Sequence, residues 1–284
     1  MEFVLPLNVT DIFRYFEDSG RQTTFVAGGT IVVPAMRAKT ICPEILIDIS
    51  QLKELSYIRE DDGIIRIGAL TTISDLGCSD IVRHSATNLL NCCDLFANPL
   101  VRNRATVGGN LVHASPAADT AVPLLALDAI LEIEVEGGKR RNIPLNEFFV
   151  GPHKTKLERN ELLKEIHFVR PSSKARMGYM KLGLRTAMAI SVASIALMLE
   201  MDGNYCFNAR VAFGAVAPKP LRIHKVERLL TNKPITMELI EECSEVIISE
   251  ITPITDVRAS SEYRKWAASG MLERSIRNLV FGKD

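Results

Sequence analysis

Two glycine pairs constrain this chain more than any other feature of it. The first sits in Phe25-Val26-Ala27-Gly28-Gly29-Thr30 and the second in Ala105-Thr106-Val107-Gly108-Gly109-Asn110. The second runs on through Ala114-Ser115-Pro116-Ala117-Ala118-Asp119. Consecutive glycines after an apolar run permit positive φ and let the backbone approach a ligand with no Cβ in the way. A turn of that kind offers a concave row of amide N–H groups to an anion. One pair alone also reads as an ordinary strand-to-helix turn. Two pairs, each closed by a hydroxyl or amide side chain, point to a single diphosphate gripped from both sides. Neither G-x-G-x-x-G nor G-x-x-x-x-G-K-[ST] occurs anywhere, so a nucleotide site here is of neither the Rossmann nor the P-loop kind.

The surrounding pattern gives the first pair a context. Asn8 to Tyr15 reads as a helix with Ile12, Phe13 and Phe16 on one face and Gly20 near its stop. Residues 24–27 read as a short buried strand, 31–38 as a helix that tolerates Pro34 only in its first turn, and 44–49 as a second strand. That is a small βαβ unit, with the glycine turn at the carboxyl end of the strand where ligands sit in α/β folds. Residues 57–60 and 64–68 flank Asp61-Asp62-Gly63 as a hairpin, and 73–95 carry a helical period broken near Cys78-Ser79. Residues 97–119 show no sustained period. A polar loop of that length is functional or disordered, and its motifs favour function. A helix over 121–127, a strand over 129–135 and a turn at Glu136-Gly137-Gly138 follow.

After Pro171 the character changes. Residues 177–181, 191–201 and 205–217 read as strands, the last two joined by Asp202-Gly203-Asn204. Helical stretches follow over 224–230, 237–250 and 260–279. Strands followed by helices predict a separate α+β domain, with the boundary near residue 172.

Composition narrows the function classes. The 34 basic and 34 acidic residues of this 284-residue chain cancel, so no nucleic-acid or anionic-membrane partner is implied. No apolar run approaches the roughly 18 residues a membrane span needs. Met1-Glu2-Phe3-Val4-Leu5-Pro6 has neither basic region nor cleavage site, so a cytoplasmic location is expected. Cys42, Cys78, Cys92, Cys93, Cys206 and Cys243 form no C-x-x-C pair and fit neither a zinc site nor an iron–sulfur cluster. Cys92 and Cys93 read as buried small hydrophobes. His84, His113, His153, His167 and His224 have no metal-binding spacing. His113 lies in the second glycine segment, where it reads either as a contact to a bound ligand or as a hydrogen-bonded loop residue. No nucleophile–base set and no mechanistic carboxylate pair is visible.

The two glycine segments resemble the "AGGT" and "T-x-GGN…SP-x-x-D" motifs of the FAD-carrying medium subunit of molybdenum hydroxylases, the family of xanthine, aldehyde, nicotinate and carbon monoxide dehydrogenases. The resemblance continues through residues 148–157, Met180-Lys181-Leu182-Gly183-Leu184-Arg185 and Ala212-Phe213-Gly214-Ala215-Val216-Ala217-Pro218, in the expected order. It implies an α+β fold: a two-subdomain, PCMH-like FAD-binding domain over 1–171, with subdomains about 1–55 and 56–171. A C-terminal domain with a small antiparallel sheet and helices would cover 172–284. It implies FAD contacts at Val26, Ala27, Gly28, Gly29, Thr30, Ile31, Thr106, Gly109, Asn110, Ser115 and Asp119. Phe96 matches an aromatic beside the flavin ring, and as a lone residue reads equally as core. Leu157 matches a position that packs on the flavin or adenine. Lys181, with Arg185 nearby, matches positions at the flavin edge, where a cation would tune the ring; the alternative is a solvated strand end. Asp119 is expected at a ribose hydroxyl or a solvated edge, and alternatively as the start of the helix at Thr120. Ile31 replaces a commonly acidic residue and Ala189 an aspartate of some relatives, which leaves side-chain roles at both positions open.

The implied function is electron transfer. A partner with two [2Fe–2S] clusters would reduce FAD in this chain, a molybdopterin-binding large partner would oxidise the substrate, and NAD⁺ or another acceptor would take the electrons. The rival readings are a self-sufficient flavin oxidase and a flavin-free scaffold.

Overall fold

The computed structural model describes residues 1–15, 21–186 and 188–282. Phe16 and Gly20, read as the end of the first helix, lie outside the described residues. Three larger sheets, each with its own helices, follow one another along the described residues, and a small two-stranded sheet lies within the second unit.

The first contains strand β1 (Glu2–Val4), helix α1 (Val9–Phe13), β2 (Thr23–Val26), α2 (Val32–Arg37) and β3 (Ile45–Asp48). Strand β3 is central, with β1 and β2 parallel to it on either side. Asn8 starts α1 by accepting the Asp11 N–H, one of the donors a helix start leaves without a partner. Ile45 and Ile47 of β3 are fully buried against Val4, Ile12 and Phe13. Pro34 is the third residue of α2, inside the first turn, where its missing N–H leaves out one bond while Val33 and Ala35 still donate to Gly29 O and Ile31 O.

The second unit contains β4 (Ile58–Asp61), β5 (Ile64–Gly68), α3 (Ile73–Cys78), α4 (Asp80–Ser85), α5 (Thr87–Leu95), α6 (Pro99–Arg102), α7 (Val107–His113) and α8 (Ala121–Ala126). It continues with β6 (Ile130–Val135), β7 (Lys139–Pro144), α9 (Leu145–Phe148), β8 (Phe149–Gly151), β9 (Lys154–Thr155) and β10 (Glu161–Val169). The sheet order is β4-β5-β10-β6-β7, all antiparallel. One face carries Ile65, Ile67, Leu131, Ile133 and Ile166 into a core shared with Ile73, Leu89, Leu111 and Leu124 of the helices. A register shift between Leu163 and Glu165 bulges β10. Leu163 thereby joins this core while its neighbour Leu162 packs into that of the first unit.

Two expectations change here. The helical stretch over 73–95 breaks at Ser79, as expected, but also a second time at Ala86. The stretch over 97–119 is not a structureless loop, because it holds α6 and α7, and the second glycine pair lies in the first turn of α7.

The third unit contains β11 (Ala175–Leu182), β12 (Ala193–Asp202), β13 (Tyr205–Gly214), β14 (Leu221–Arg222), α10 (His224–Leu230), β15 (Lys233–Pro234), α11 (Met237–Glu250) and α12 (Ser261–Val280). Its antiparallel sheet runs β11-β12-β13-β14, with β15 on β13. Successive side chains of a strand face opposite sides, and both sides of β12 are covered. Ile195, Leu197 and Leu199 meet the C-terminal helices, while Ala196 joins the core around α5 and α8. Tyr179 of β11 packs against that same core, which puts this side of β11 behind the helices of the second unit.

Candidate functional site

A cleft of about 590 Å³ has walls from the first and second units and from the segment after β11. Small-molecule sites occupy roughly 300–1,000 Å³. The chain leaves β2 at Val26 and turns through Ala27 to Thr30 into α2. Gly29 has φ +72°, a backbone state that L side chains rarely adopt. A Cβ on Gly28 would lie 1.8 Å from the Arg104 carbonyl oxygen. The first motif is thus pressed, backbone on backbone, against the segment that leads into the second. Among the described residues, no backbone or side-chain acceptor takes the N–H groups of Gly28, Gly29 or Thr30.

The second motif is built differently. Thr106 caps α7, its hydroxyl oxygen accepting the Gly109 N–H at 3.1 Å. The Val107 N–H donates to Thr71 O at 3.0 Å, that of Gly108 to Ala69 O at 2.9 Å and that of Asn110 to Thr106 O at 3.0 Å. The expected amide row on both sides of a diphosphate is therefore corrected. Among the described residues the first motif leaves three consecutive N–H groups without an acceptor while those of Val107 to Asn110 in the second are all held, and of these four glycines only Gly29 takes positive φ. Gly108 is needed for packing, since a Cβ there would come within 2.6 Å of Ala69 O. What the second motif offers is Asn110. Its Oδ1 accepts from Thr120 Oγ1 at 2.6 Å and from the Thr120 N–H at 3.3 Å. That fixes the amide's orientation and leaves its NH₂ without a partner among the described residues, in a residue that lines the cleft.

Asp119 lies at the cleft wall, 9% exposed. Its Oδ2 accepts from Lys181 Nζ at 2.6 Å, and its Oδ1 from Ser191 Oγ at 2.7 Å and Tyr179 Oη at 3.2 Å. Lys181 also donates to Leu95 O at 3.3 Å. The reading of Lys181 as a solvated strand end is overturned, because its side chain is only 7% exposed. Asp119 and Lys181, assigned separately from the sequence, form one ion pair at the cleft wall. Beside this pair, burial pushes the Tyr179 hydroxyl and the Cys92 thiol well above their ordinary pKa values, with the Asp119 charge adding to both. Cys92 and Cys93 are buried, as expected.

Of the residues singled out from sequence, Ala27, Gly28, Gly29, Thr30, Ile31, Phe96, Thr106, Gly109, Asn110, Ser115, Asp119 and Leu157 line this one cleft. Val26 and Lys181 do not. Val26 is a buried strand residue whose carbonyl accepts from Ile49 N–H, and Lys181 sits behind Asp119. Phe96 is both core and cleft wall. Arg185 turns onto its own loop, donating to Met188 O at 2.8 Å. His113, the last residue of α7, lines the cleft with its ring centroid 4.6 Å from that of His153. Burial and, next, His153 lower its pKa. Sequence reasoning missed Leu162 and Leu163 of β10 and Met188 and Ile190 after β11. No motif marks them.

The match to known proteins extends over nearly the whole chain. Residues 1–170 match the FAD binding domain in molybdopterin dehydrogenase, and residues 178–279 the CO dehydrogenase flavoprotein C-terminal domain. The xanthine dehydrogenase FAD-binding subunit of Escherichia coli O157:H7 is 34% identical over 91% of this chain and 89% of its own length. The carbon monoxide dehydrogenase medium chain of Hydrogenophaga pseudoflava is 32% identical over 97% of this chain and 95% of its own. A solved structure of carbon monoxide dehydrogenase from Hydrogenophaga pseudoflava, lacking the Mo-pyranopterin moiety, superposes with a TM-score of 0.94 at 31% identity. That superposition covers 99% of this chain and 97% of that one.

Proposed function

Because the chain belongs to the family of FAD-binding subunits of the molybdenum hydroxylases, an oxidoreductase family whose cofactor in this subunit is FAD, we propose that the cleft between the two glycine motifs is its FAD site. The carrying observation is the Gly28–Arg104 contact, which brings both motifs to one cleft while the Gly28, Gly29 and Thr30 N–H groups stay free. These residues fit the cofactor: free amides and the Asn110 NH₂ suit a diphosphate, and the apolar walls at Phe96, Leu157, Leu162 and Ile190 suit flat ring systems.

In this reading the first motif binds the diphosphate from one side and Asn110 donates to it from the other. Thr106, Gly109 and Ser115 border it, and Val26 holds the strand that aims the turn. The Asp119–Lys181 pair closes the flavin end of the cleft. There the carboxylate would accept a hydrogen bond from the cofactor, and the ammonium behind it offsets its charge. Bound FAD exchanges electrons singly or in pairs, as needed between one-electron [2Fe–2S] clusters and a two-electron acceptor. The chain would accept electrons from a small [2Fe–2S] subunit, alongside a large molybdopterin-binding subunit, and deliver them to NAD⁺ or another acceptor in the cytoplasm. The FAD-binding domain would span 1–171, in subdomains of about 1–55 and 56–171, and the C-terminal domain 172–284.

Purified chain loaded with FAD tests the division of labour. It is expected to carry one flavin per chain and to turn over no purine, aldehyde or heteroaromatic acid. Added reduced iron–sulfur partner should bleach the flavin. Oxidation of an organic substrate by this chain alone would overturn the subunit reading, and a flavin-free chain would overturn the site.

A further inference from the structure

Asp119 is held from behind by a chain of contacts that begins in the segment between α11 and α12 and in the first turn of α12. Ser191, whose hydroxyl donates to Asp119, is fully buried. Its carbonyl accepts from Arg258 Nη1 at 3.0 Å. The next carbonyl, that of Val192, accepts from Arg264 Nη1 at 2.7 Å, and the same nitrogen donates to Ala215 O at 2.9 Å. Asp256 ties the two arginines together, accepting from Arg258 Nη2 at 2.5 Å and from Arg264 Nη2 at 2.7 Å. The Arg258 hydrogen bond, with Arg264 adding to it, holds the Asp256 carboxyl well below its usual pKa. A second tie reaches the same wall, since the Ala215 N–H donates to Pro116 O at 2.8 Å, between Ser115 and Asp119.

Arg264 is 1% exposed, so its guanidinium is desolvated at a cost that its hydrogen bonds only offset. A buried charge of this kind is weak evidence for stability; its contribution lies in geometry. Two guanidiniums tied by one carboxylate converge on the carbonyls of Ser191 and Val192 just before β12, beside one of the two hydroxyls that hold the cleft carboxylate. We infer that Arg258, Asp256 and Arg264 form a strut by which the C-terminal unit positions Ser191, and through it the Asp119 carboxylate at the FAD site. None of the three lines the cleft, so they are positioning residues. The inference rests on the FAD reading above. With the strut in place, the Ser191 hydroxyl shares the Asp119 charge. When Ser191 is released, more of that charge faces the cofactor and the flavin becomes harder to reduce.

A double-mutant cycle on the FAD-loaded chain tests it. Arg258 is partly exposed, so Arg258→Gln removes the tie without emptying a buried site. Arg258→Gln is expected to lower the flavin midpoint potential, change the visible circular dichroism of the bound flavin and raise the FAD Kd roughly tenfold, the scale of one loosened charged hydrogen bond. Ser191→Ala should do the same, and the double variant should go no further than either single one. Arg258→Lys should restore part of the potential, and it carries the cycle if the glutamine variant does not fold. Additive effects in the double variant, or an unmoved potential in FAD-loaded Arg258→Gln, would overturn the strut while leaving the FAD site standing. A parent chain that binds no FAD would overturn both.

Discussion

Replacing Gly28 by alanine puts the site to a severe test, because the clash it creates is with backbone. The new Cβ would sit 1.8 Å from Arg104 O and 2.6 Å from Arg104 C, and 3.0 Å is the limit below which real Cβ contacts are not seen. No side chain can rotate away, so the two motifs must separate by more than about 1 Å, a displacement on the scale that costs about 1–3 kcal/mol in an overpacked core. The same displacement withdraws the free amides of the first motif from the Asn110 side. If two charge-assisted hydrogen bonds to the diphosphate are lost, at about 1.5–3 kcal/mol each, binding weakens by about 3–6 kcal/mol, or roughly 10²- to 10⁴-fold. Flavin fluorescence titration of the apoprotein measures this, with far-UV circular dichroism reporting that the fold is retained. Gly270→Ala is the control, since a Cβ there meets nothing within 4 Å and lies in α12. Folded Gly28→Ala that binds FAD within a few-fold of the parent would refute the two-motif cleft.

Other expectations follow from the same geometry. Asn110→Asp keeps the acceptor for Thr120 but replaces the free NH₂ with a negative charge, so FAD binding should weaken by at least about tenfold by titration, about one charged hydrogen bond. Lys181→Met strands the Asp119 carboxylate with two neutral donors; thermal or urea unfolding should report a loss of about 3–5 kcal/mol, the scale for breaking a buried pair. On the far face of the second sheet, burial would raise the Glu165 pKa, but the adjacent His167 ring and the hydrogen bonds from Tyr57 and Arg66 outweigh it and hold the value at about 2 against an ordinary 4.5. The pKa is depressed on folding, so this stabilisation is complete above pH 4.5 and is lost as pH falls toward 2. It amounts to about 3 kcal/mol, and Glu165→Gln should flatten the acid limb of a stability-against-pH curve in that window.

The first motif was legible because its neighbours keep clean periods: a short strand, a glycine turn, then a short helix and a second strand, as found in β2, α2 and β3, although β2 is only partly buried. The helix at the second motif was hidden by composition. Gly108 and Gly109 carry the poorest helix propensity short of proline, and α7 forms because Thr106 caps it and Gly108 fits against Ala69. Asn98-Pro99, a cap followed by a proline at the first helical position, was a readable signal for α6. Strand β10 escaped notice because its bulge between Leu163 and Glu165 interrupts the two-residue alternation. The Asp119–Lys181 pair could not be read at all, since its partners lie 62 positions apart and meet only through the packing of β11 on α5. The part of the cleft's border that carries the two motifs was visible; its apolar walls, and which residues pair with one another, required the fold.

The amide resonances of the two glycine motifs test the central claim most directly. On titrating the isotopically labelled apoprotein with FAD, the Gly28, Gly29 and Thr30 amide protons, which have no acceptor among the described residues, should move strongly downfield as they take a phosphate oxygen. The Val107 and Gly108 amide protons, already held by Thr71 O and Ala69 O, should move little. Saturation at one FAD per chain with that contrast is the predicted result. Large shifts at Val107 and Gly108 with none at Gly28, Gly29 and Thr30 would contradict it.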